Sequence, residues 1–384
     1  MARKHFIIGA ASLAVLALAG CSGDADATDG SSASGSAEAA GGVDAATATS
    51  LADFGSMEEL EAAAIAEGEL NVIALPHDWA NYGEIIDAFK EKYPEITVNE
   101  AQPDGSSADE IAAAEDLAGQ DTAPDVFDLG LAVALSSLDQ FAPYQVAGWD
   151  DIDDSLKEST GLYVGDYGGY MAVGYDPDAV PAVTSLEDLL GEAYKGSVAI
   201  NGDPTQAGAA FAAVGLATLQ NGGSLDDFQS GVDFFEELSA AGNFLQVDVT
   251  SALIASGEVP VDFDWDYLQA ANKAAMEGER NWEIVVLPDF GYASYYNQAV
   301  NVDAPHPAAA RLWEEFLYSD EVQNLWLAGG ARPVRAEAMS EAGTLDQDLW
   351  DALPEVPAET FVPTAEQSDA AATLLGDKWA AAVS

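Results

Sequence analysis

Strand-like and helix-like segments alternate along the first half of this chain, and this alternation limits the possible folds more than any other feature. Residues 70–75, 96–100 and 126–129 have the pattern of strands. Residues 82–93 have helical periodicity and are followed by a proline, and Ser107 begins a capping pattern with Glu110. Alternating strands and helices predict an α/β fold whose parallel sheet is covered by helices on both faces.

The pattern continues through the middle of the chain and becomes helical towards the C-terminus. The further strands are predicted at 169–175, 197–200 and 259–263. The further helices are predicted at 207–219, 225–238, 249–256, 307–318, 321–327 and 366–382.

The N-terminus has the pattern of a secretory signal. A basic pair, Arg3-Lys4, precedes an apolar run at 6–18, which is shorter than the roughly 20 residues that span a bilayer. The run ends in the letters LAGC, which resemble the lipobox of bacterial lipoproteins, with Cys21 at the acylated position. Cys21 is also the only cysteine of the chain. We therefore expect a signal peptide at 1–20 and a lipid anchor on Cys21.

The segment 21–51 is predicted to be a lipidated, flexible tether. It is rich in Gly, Ser, Ala, Thr and Asp, and residues 22–50 include no aromatic side chain. Such a segment cannot bury enough apolar surface to offset the entropy lost on ordering. Because no later apolar run reaches transmembrane length, we expect the folded part on the extracytoplasmic face of the cell membrane, held there by its lipid.

The charge of the chain excludes several partners. Twelve Lys and Arg residues stand against 67 Asp and Glu, which gives a formal net charge of −55. Such a surface cannot neutralise phosphates, so we expect no nucleic acid partner, and anionic lipid head groups would repel it. Two explanations of the acidity are open: a strongly hydrated surface adapted to salt, and a field that attracts cations.

Motifs of common enzyme classes are absent from the sequence. It contains no G-x-S-x-G elbow, Walker loop, G-x-G-x-x-G or H-E-x-x-H motif. Beyond the N-terminal signal the only histidines are His77 and His306, which lie far apart in sequence. We therefore predict a protein that is not an enzyme, with no catalytic residues, no cofactor and no metal site.

Several segments, in a specific order, resemble the type 2 extracellular solute-binding proteins of ABC importers. The stretch EGELNVIALPHDWANYGEIIDAFKEKYPEITV resembles the family's first strand, ligand-touching loop and first helix, and APDVFDLG resembles its third strand. YGGYMAVGYDPDAV resembles the family's crossover into the second lobe, and YKGSVAINGDPTQAGAA resembles the segment that opens that lobe. SDEVQNLWLAGGARPVR resembles the family's C-terminal helix and turn. The likeness spans about residues 56–384.

The resemblance implies a two-lobed α/β fold of the periplasmic-binding-protein type 2 kind. The ligand cleft would lie between lobes that two crossover strands join, with lobe 1 at 52–168 plus 292–384 and lobe 2 at 169–291. A small molecule would close the hinge, and the closed form would dock on the membrane permease subunits of an ABC transporter. We expect a monomer.

The polyamine-binding branch of this family supplies the leading prediction for the ligand. The resemblance implies that Trp79 packs on the polyamine, that Asp203 and Asp266 contact its amines, and that Tyr82 and Trp265 belong to the same site. Carboxylates pair with ammonium groups, and each aromatic face attracts a cation by about 0.5–2 kcal/mol. Putrescine or spermidine is therefore the predicted ligand.

Other ligands stay open. Tyr295 and Tyr296 fall at the second crossover, where aromatic residues commonly line the cleft, and adjacent tyrosines serve as phenolate ligands in the family's ferric-ion branch. Gln206 stands where the polyamine branch has a glutamate, and Arg332 would suit an anion if it faced the cleft. Ferric ion or another small metabolite is therefore the alternative.

Several of the candidate residues also have a structural explanation. Trp79 could pack on the surface of a lobe, and Asp203 could start a turn before its proline. Asp264 and Asp266 could be solvated at the end of a strand. From other functional classes, the alternatives are a lipid-tethered secreted hydrolase and an adhesive surface protein.

Overall fold

The computed structural model describes residues 44–247 and 249–384, so the predicted signal peptide and the Cys21 anchor lie outside the described residues. The strands are β1 (Glu69–Ile73), β2 (Thr97–Ala101), β3 (Val126–Gly130), β4 (Phe141–Ala142), β5 (Val164–Tyr175), β6 (Val198–Ile200), β7 (Val261–Trp265), β8 (Glu283–Val285), β9 (Phe290–Asn301), β10 (Arg332–Pro333) and β11 (Glu359–Phe361). The α-helices are α1 (Leu51–Phe54), α2 (Met57–Glu67), α3 (Tyr82–Lys92), α4 (Ser107–Asp116), α5 (Leu131–Ser136), α6 (Gly208–Gln220), α7 (Gln229–Ala240), α8 (Ser251–Ser256), α9 (Asp266–Ala275), α10 (Pro307–Leu317), α11 (Asp320–Ala328), α12 (Ala336–Ala342), α13 (Gln347–Ala352) and α14 (Ala365–Ala382).

Two long antiparallel strands, β5 and β9, join two groups of shorter strands. In the first group, β3 and β4 pair with β9, and β10 pairs with β5. In the second group, β7 and β8 pair with β5, β6 pairs with β7, and β11 pairs with β9. The alternation predicted a parallel sheet, but the sheet is mixed: β9 is antiparallel to β3, β5 is antiparallel to β7, and β5 and β9 are antiparallel to each other. A separate parallel pair is formed by β1 and β2.

The start of α4 differs from the predicted capping pattern and brings an acid into the core. Ser106, rather than Ser107, caps the helix, accepting the N–H of Asp109 at 3.3 Å, while the Asp109 carboxylate accepts the N–H of Ser106 at 2.9 Å. Glu110 therefore takes no part in the cap and points inward, where its carboxyl accepts the N–H of Asp128 at 2.9 Å.

The last part of the predicted tether, residues 44–51, is folded in this structure. Ala45 and Ala48 are each only 2% exposed. The guanidinium of Arg311 on α10 donates to the carbonyl oxygens of Ala46 and Ala48 at 3.1 and 2.8 Å. These contacts hold the entering chain against α10, so the folded part begins before residue 52.

The C-terminal helix α14 packs against α7. The Trp379 ring contacts Phe235 and Phe244, with centroids 5.4 and 6.1 Å apart. Near the other end of the helix, the Gln367 amide donates to the Asp226 carboxylate at 2.9 Å. These partners lie within the range predicted for lobe 2, whereas the sequence places α14 in lobe 1. We propose that 359–384, which include β11 beside the start of β9, move with lobe 2.

None of the described helices is long and apolar enough to cross a membrane.

Candidate ligand-binding cleft

A cavity of about 460 Å³ opens between the two groups of strands. Trp79 and residues from the segment 130–135, at the start of α5, line one wall. Residues from the segment 204–212, at the start of α6, line the facing wall together with Trp265. Tyr296 lines the cavity from β9, and one face of α14 forms a third wall. The volume lies within the range of roughly 300–1,000 Å³ that small-molecule sites occupy.

The lining is mainly aromatic and apolar. The polar side chains on it are Thr205, Gln206, Ser294 and Ser368. Among the described residues that line the cavity, Asp369 is the one charged side chain, and none is Lys, Arg or His. Such a surface suits a solute with an apolar body and a cationic centre better than it suits an anion.

Trp79 is held in a fixed orientation by three tyrosines. Its indole N–H donates to the Tyr167 hydroxyl at 2.9 Å. Its ring makes edge contacts with Tyr267 and Tyr296, with centroids 5.8 and 5.9 Å apart. The Tyr167 and Tyr296 rings stack at 5.5 Å. Trp79 therefore presents a preoriented aromatic surface to the cavity.

Tyr82 lies behind this aromatic group and does not line the cavity. It is fully buried, and its hydroxyl donates to the Asp128 carboxyl at 2.9 Å and accepts from the Gln298 amide at 3.0 Å. The same amide donates to Asp166 at 2.9 Å. Tyr82 thus links elements of the core by hydrogen bonds. The resemblance to the polyamine branch had instead implied that it belongs to the ligand site.

The carboxyl groups around Tyr82 are held away from water. Burial raises the pKa of Asp166 to about 7. Burial and the neighbouring Asp166 carboxylate together raise the pKa of Asp128 well above its usual range. Burial likewise raises the pKa of Glu314 well above its usual range. Asp128 and Glu314 are therefore largely protonated and Asp166 is about half protonated at neutral pH, so the three acids supply less negative charge to the cavity than their number suggests.

Asp203 starts a turn at the edge of the cavity. Its carboxylate accepts the backbone N–H and the hydroxyl of Thr205 at 2.8 and 2.6 Å. Pro204 and Thr205 line the cleft, whereas Asp203 lines a neighbouring cavity of about 420 Å³. This is the geometry of an aspartate that initiates a turn.

Asp266 is engaged by Arg332 and by the backbone. One carboxylate oxygen pairs with the guanidinium, and the other accepts the N–H groups of Tyr170 and Tyr267 at 3.0 and 3.1 Å. The guanidinium also lies 4.8 Å from the centre of the Tyr170 ring. Asp266 and the nearby Asp264 are buried rather than solvated. Neither Asp266 nor Arg332 lines the cleft.

Neighbouring residues on the strands face opposite sides, as the pleat requires. Tyr296 lines the cleft, whereas Tyr295 lines a second cavity of about 470 Å³ together with Arg332. The cleft therefore brings together Trp79, Trp265 and Tyr296 of the predicted site, and leaves outside its lining Tyr82, Asp203, Asp266 and Tyr295.

Sequence reasoning missed α5, Tyr292 and the whole wall formed by α14. On that helix Ala365, Ser368, Asp369 and Ala372 line the cavity. Their spacing of three, four and seven places them on one helical face. The sequence contains this stripe of small and polar residues, but nothing in it indicates that the stripe faces a cavity. Within the described chain, no group of three or more His, Cys, Asp and Glu residues is placed to hold a metal ion.

The sequence profile of the bacterial extracellular solute-binding proteins matches residues 124–360. The chain belongs to this family. Its members bind solutes and do not catalyse reactions, which confirms that the protein is not an enzyme. No curated protein sequence matches the chain.

Solved structures of solute-binding proteins share the fold. An ABC transporter substrate-binding protein from Bradyrhizobium japonicum is 16% identical with a TM-score of 0.64, covering 83% of this chain and 100% of that one. The spermidine/putrescine-binding protein PotD from Streptococcus pneumoniae is 15% identical with a TM-score of 0.61, covering 82% and 99%. Iron-bound HitA from Pseudomonas aeruginosa is 18% identical with a TM-score of 0.58, covering 82% and 99%. These similarities confirm the two-lobed α/β fold.

Proposed function

We propose that this protein is the solute-binding subunit of an ABC importer and that it captures a small organic cation for delivery to a membrane permease. The ligand would bind in the cleft among Trp79, Trp265 and Tyr296. The observation that carries the proposal is the lining, which among the described residues combines aromatic faces with one carboxylate and no cationic side chain.

The wider electrostatics of the molecule support a cation. The net charge of −55 creates a field that attracts cations and repels anions. Arg332 would have favoured an anion, but its charge is paired with Asp266 and it lies outside the lining. Each aromatic face in contact with a cation adds about 0.5–2 kcal/mol of attraction.

Polyamines belong to this class and are the first ligands to test, since the similar protein from Streptococcus pneumoniae binds spermidine and putrescine. The resemblance assigned amine contacts to Asp203 and Asp266. In the described chain these carboxylates are engaged by Thr205 and Arg332. The proposal therefore depends on the cleft lining and not on these two residues.

Ferric ion is the second candidate, because HitA holds iron in a similar fold. Tyr267 and Tyr296 both contact Trp79, next to the cleft. Burial raises the pKa of both hydroxyls above their usual range, so they stay protonated near neutral pH. Ferric ion would have to displace the protons of these buried hydroxyls, whereas an organic cation requires no deprotonation, so the organic cation is the better supported ligand.

We also propose that the chain is a monomer anchored through acylated Cys21 after removal of 1–20. The LAGC motif supports this anchor. A diacylglyceryl group and a further acyl chain would supply the two lipid signals that stable anchoring needs. The mass of the mature N-terminal peptide tests it, and an unmodified cysteine there would contradict it.

Calorimetric titration with putrescine, spermidine, choline, γ-aminobutyrate and ferric citrate tests the ligand class. An organic cation at a hundredfold excess over its dissociation constant should stabilise the protein by about 2.7 kcal/mol. Trp79→Ala and Trp265→Ala should each weaken that binding by about tenfold or more, since each removes an aromatic face.

Trp149→Ala is the matched control. Trp149 lies outside the lining, where its ring contacts Lys157 at 5.0 Å, and its loss should leave affinity unchanged. Binding of ferric citrate with no response to any amine would replace the organic cation with iron. The absence of binding by the whole panel would contradict the proposed class.

A further inference from the structure

We infer that α14 supplies the group that selects the ligand, with Asp369 pairing with the charged centre of an organic monocation whose apolar body packs among Trp79, Trp265 and Tyr296. The inference rests on the proposed function and narrows its ligand class from organic cations in general to ammonium compounds with a single charge.

One face of α14 is shaped to admit such a group. Ala365, Ser368 and Ala372 surround Asp369 on the face that lines the cavity. Their side chains are short, so they leave space beside the carboxylate. Because residues three and four apart on a helix are neighbours, this space is continuous along the face.

The opposite face of the helix fixes the position of Asp369. Ala371, Leu375 and Trp379 form its buried stripe, with a spacing of four residues. Trp379 packs on Phe235 of α7 at 5.4 Å. The backbone of Asp369 is therefore held by an anchored helix of 18 residues and not by a loop, which limits the positions that its carboxylate can take.

Asp369 is also available for a ligand, unlike the carboxylates that the sequence favoured. Within the described chain it forms no salt bridge, whereas Asp266 is paired with Arg332. The Asp203 carboxylate is taken up by Thr205. The side chain of Asp369 is exposed and makes no hydrogen bond within the described residues, while the hydroxyl of Thr373 donates to its backbone carbonyl at 3.0 Å.

A single carboxylate in an aromatic cavity discriminates between amines. The second ammonium group of a polyamine would be placed against aromatic and aliphatic side chains without a counter-charge, which is costly to desolvate. An alkylated ammonium ion has one charge, which Asp369 can balance. Its alkyl groups can pack on the faces of Trp79 and Trp265.

Titration of the whole chain with three probes tests the inference. The probes are choline, dimethylbutanol as its uncharged carbon isostere, and putrescine. The wild-type protein should bind choline more tightly than either of the others. Asp369→Asn should weaken choline binding by about tenfold or more, because the charge pairing between the carboxylate and the trimethylammonium centre is lost, and should leave dimethylbutanol binding unchanged.

Asp377→Asn is the matched control, since Asp377 is exposed like Asp369 and lies on the same helix, but outside the cavity lining. It should leave the affinity for choline unchanged. Equal choline affinity in Asp369→Asn and wild type would overturn the role of Asp369. Tighter binding of putrescine than of choline would overturn the selection of a single charge.

These failures are distinguishable from failure of the proposed function. If Asp369→Asn has no effect but Trp79→Ala abolishes amine binding, the cleft is retained and only the inference falls. If the wild-type protein binds no amine, both the inference and the proposed function fall.

Discussion

Asp266 and Arg332 form a buried ion pair that links α9 to β10. Their side chains are 0% and 6% exposed. Removing two charges from water costs several kcal/mol each, and such a pair is stable only where further partners satisfy both groups. Here the backbone N–H of Tyr170 serves the carboxylate, and the carbonyl of Pro354 accepts from the guanidinium at 2.8 Å. The pair fixes β10 beside the crossover strand β5.

Arg332→Met should therefore lower the free energy of unfolding at neutral pH by about 3–5 kcal/mol, because it leaves a buried carboxylate without its cation. Urea denaturation monitored by tryptophan fluorescence measures the change. Lys273→Met is the control: its partner Glu283 is 3.8 Å away and both side chains are more than half exposed, so the loss should stay below about 1 kcal/mol. If the two substitutions lowered the free energy of unfolding equally, the predicted contribution of the buried pair would be wrong.

At the scale of elements, the position of α14 depends on a small aromatic cluster. Trp379 is 5% exposed and contacts both Phe235 and Phe244. The remaining residues of the helix include many alanines, which bury little apolar area each. The helix is therefore held mainly through one large side chain near its end.

Trp379→Ala should lower the free energy of unfolding by about 3–5 kcal/mol, because the helix loses its anchor and a cavity is left beside α7. Hydrogen exchange should show faster exchange in α14 than in α6. Asp377→Ala, on the exposed side of the same helix, should change stability by about 0.5 kcal/mol or less. Unchanged protection of α14 in Trp379→Ala would show that other contacts hold the helix.

At the scale of the whole molecule, buried acids in several elements respond to pH. Burial raises the pKa of Glu67, Asp166 and Asp264 to about 7 in each case. A carboxyl group whose pKa is higher in the folded than in the unfolded state binds its proton more tightly when folded. Stability from such a group is present at low pH and is lost as the pH rises towards its folded-state pKa.

The free energy of unfolding should therefore fall as the pH rises from about 4.5 to about 7, by up to about 1.4 kcal/mol per pH unit for each such group. Repulsion within a chain of net charge −55 acts in the same direction. Urea denaturation at a series of pH values measures the slope. Asp166→Asn should make the slope shallower by up to about 1.4 kcal/mol per pH unit, which corresponds to one proton. A free energy of unfolding that stays constant or increases with pH would contradict the prediction.

Elements with a local signal were predicted closely. The structure confirms the predicted helices at 82–93, 307–318 and 366–382 within one residue at each end, because apolar periodicity and flanking prolines act locally. The residue pattern gave no strand at β9 (Phe290–Asn301), and only the resemblance implied a crossover there. The strand mixes aromatic and polar residues, and its conformation is imposed by pairing with β3, β5 and β11.

The sequence by itself determined the α/β class, the solute-binding family, the acidic surface and the N-terminal lipobox pattern, because periodicity, composition and ordered motifs are properties of neighbouring residues. Only the tertiary structure decided which side chains share the cleft. It removed Asp266 from the lining by pairing it with Arg332, 66 positions away, and it placed Asp369 there by packing α14 on α7. Contacts between distant segments depend on how the elements pack, and no local pattern encodes them.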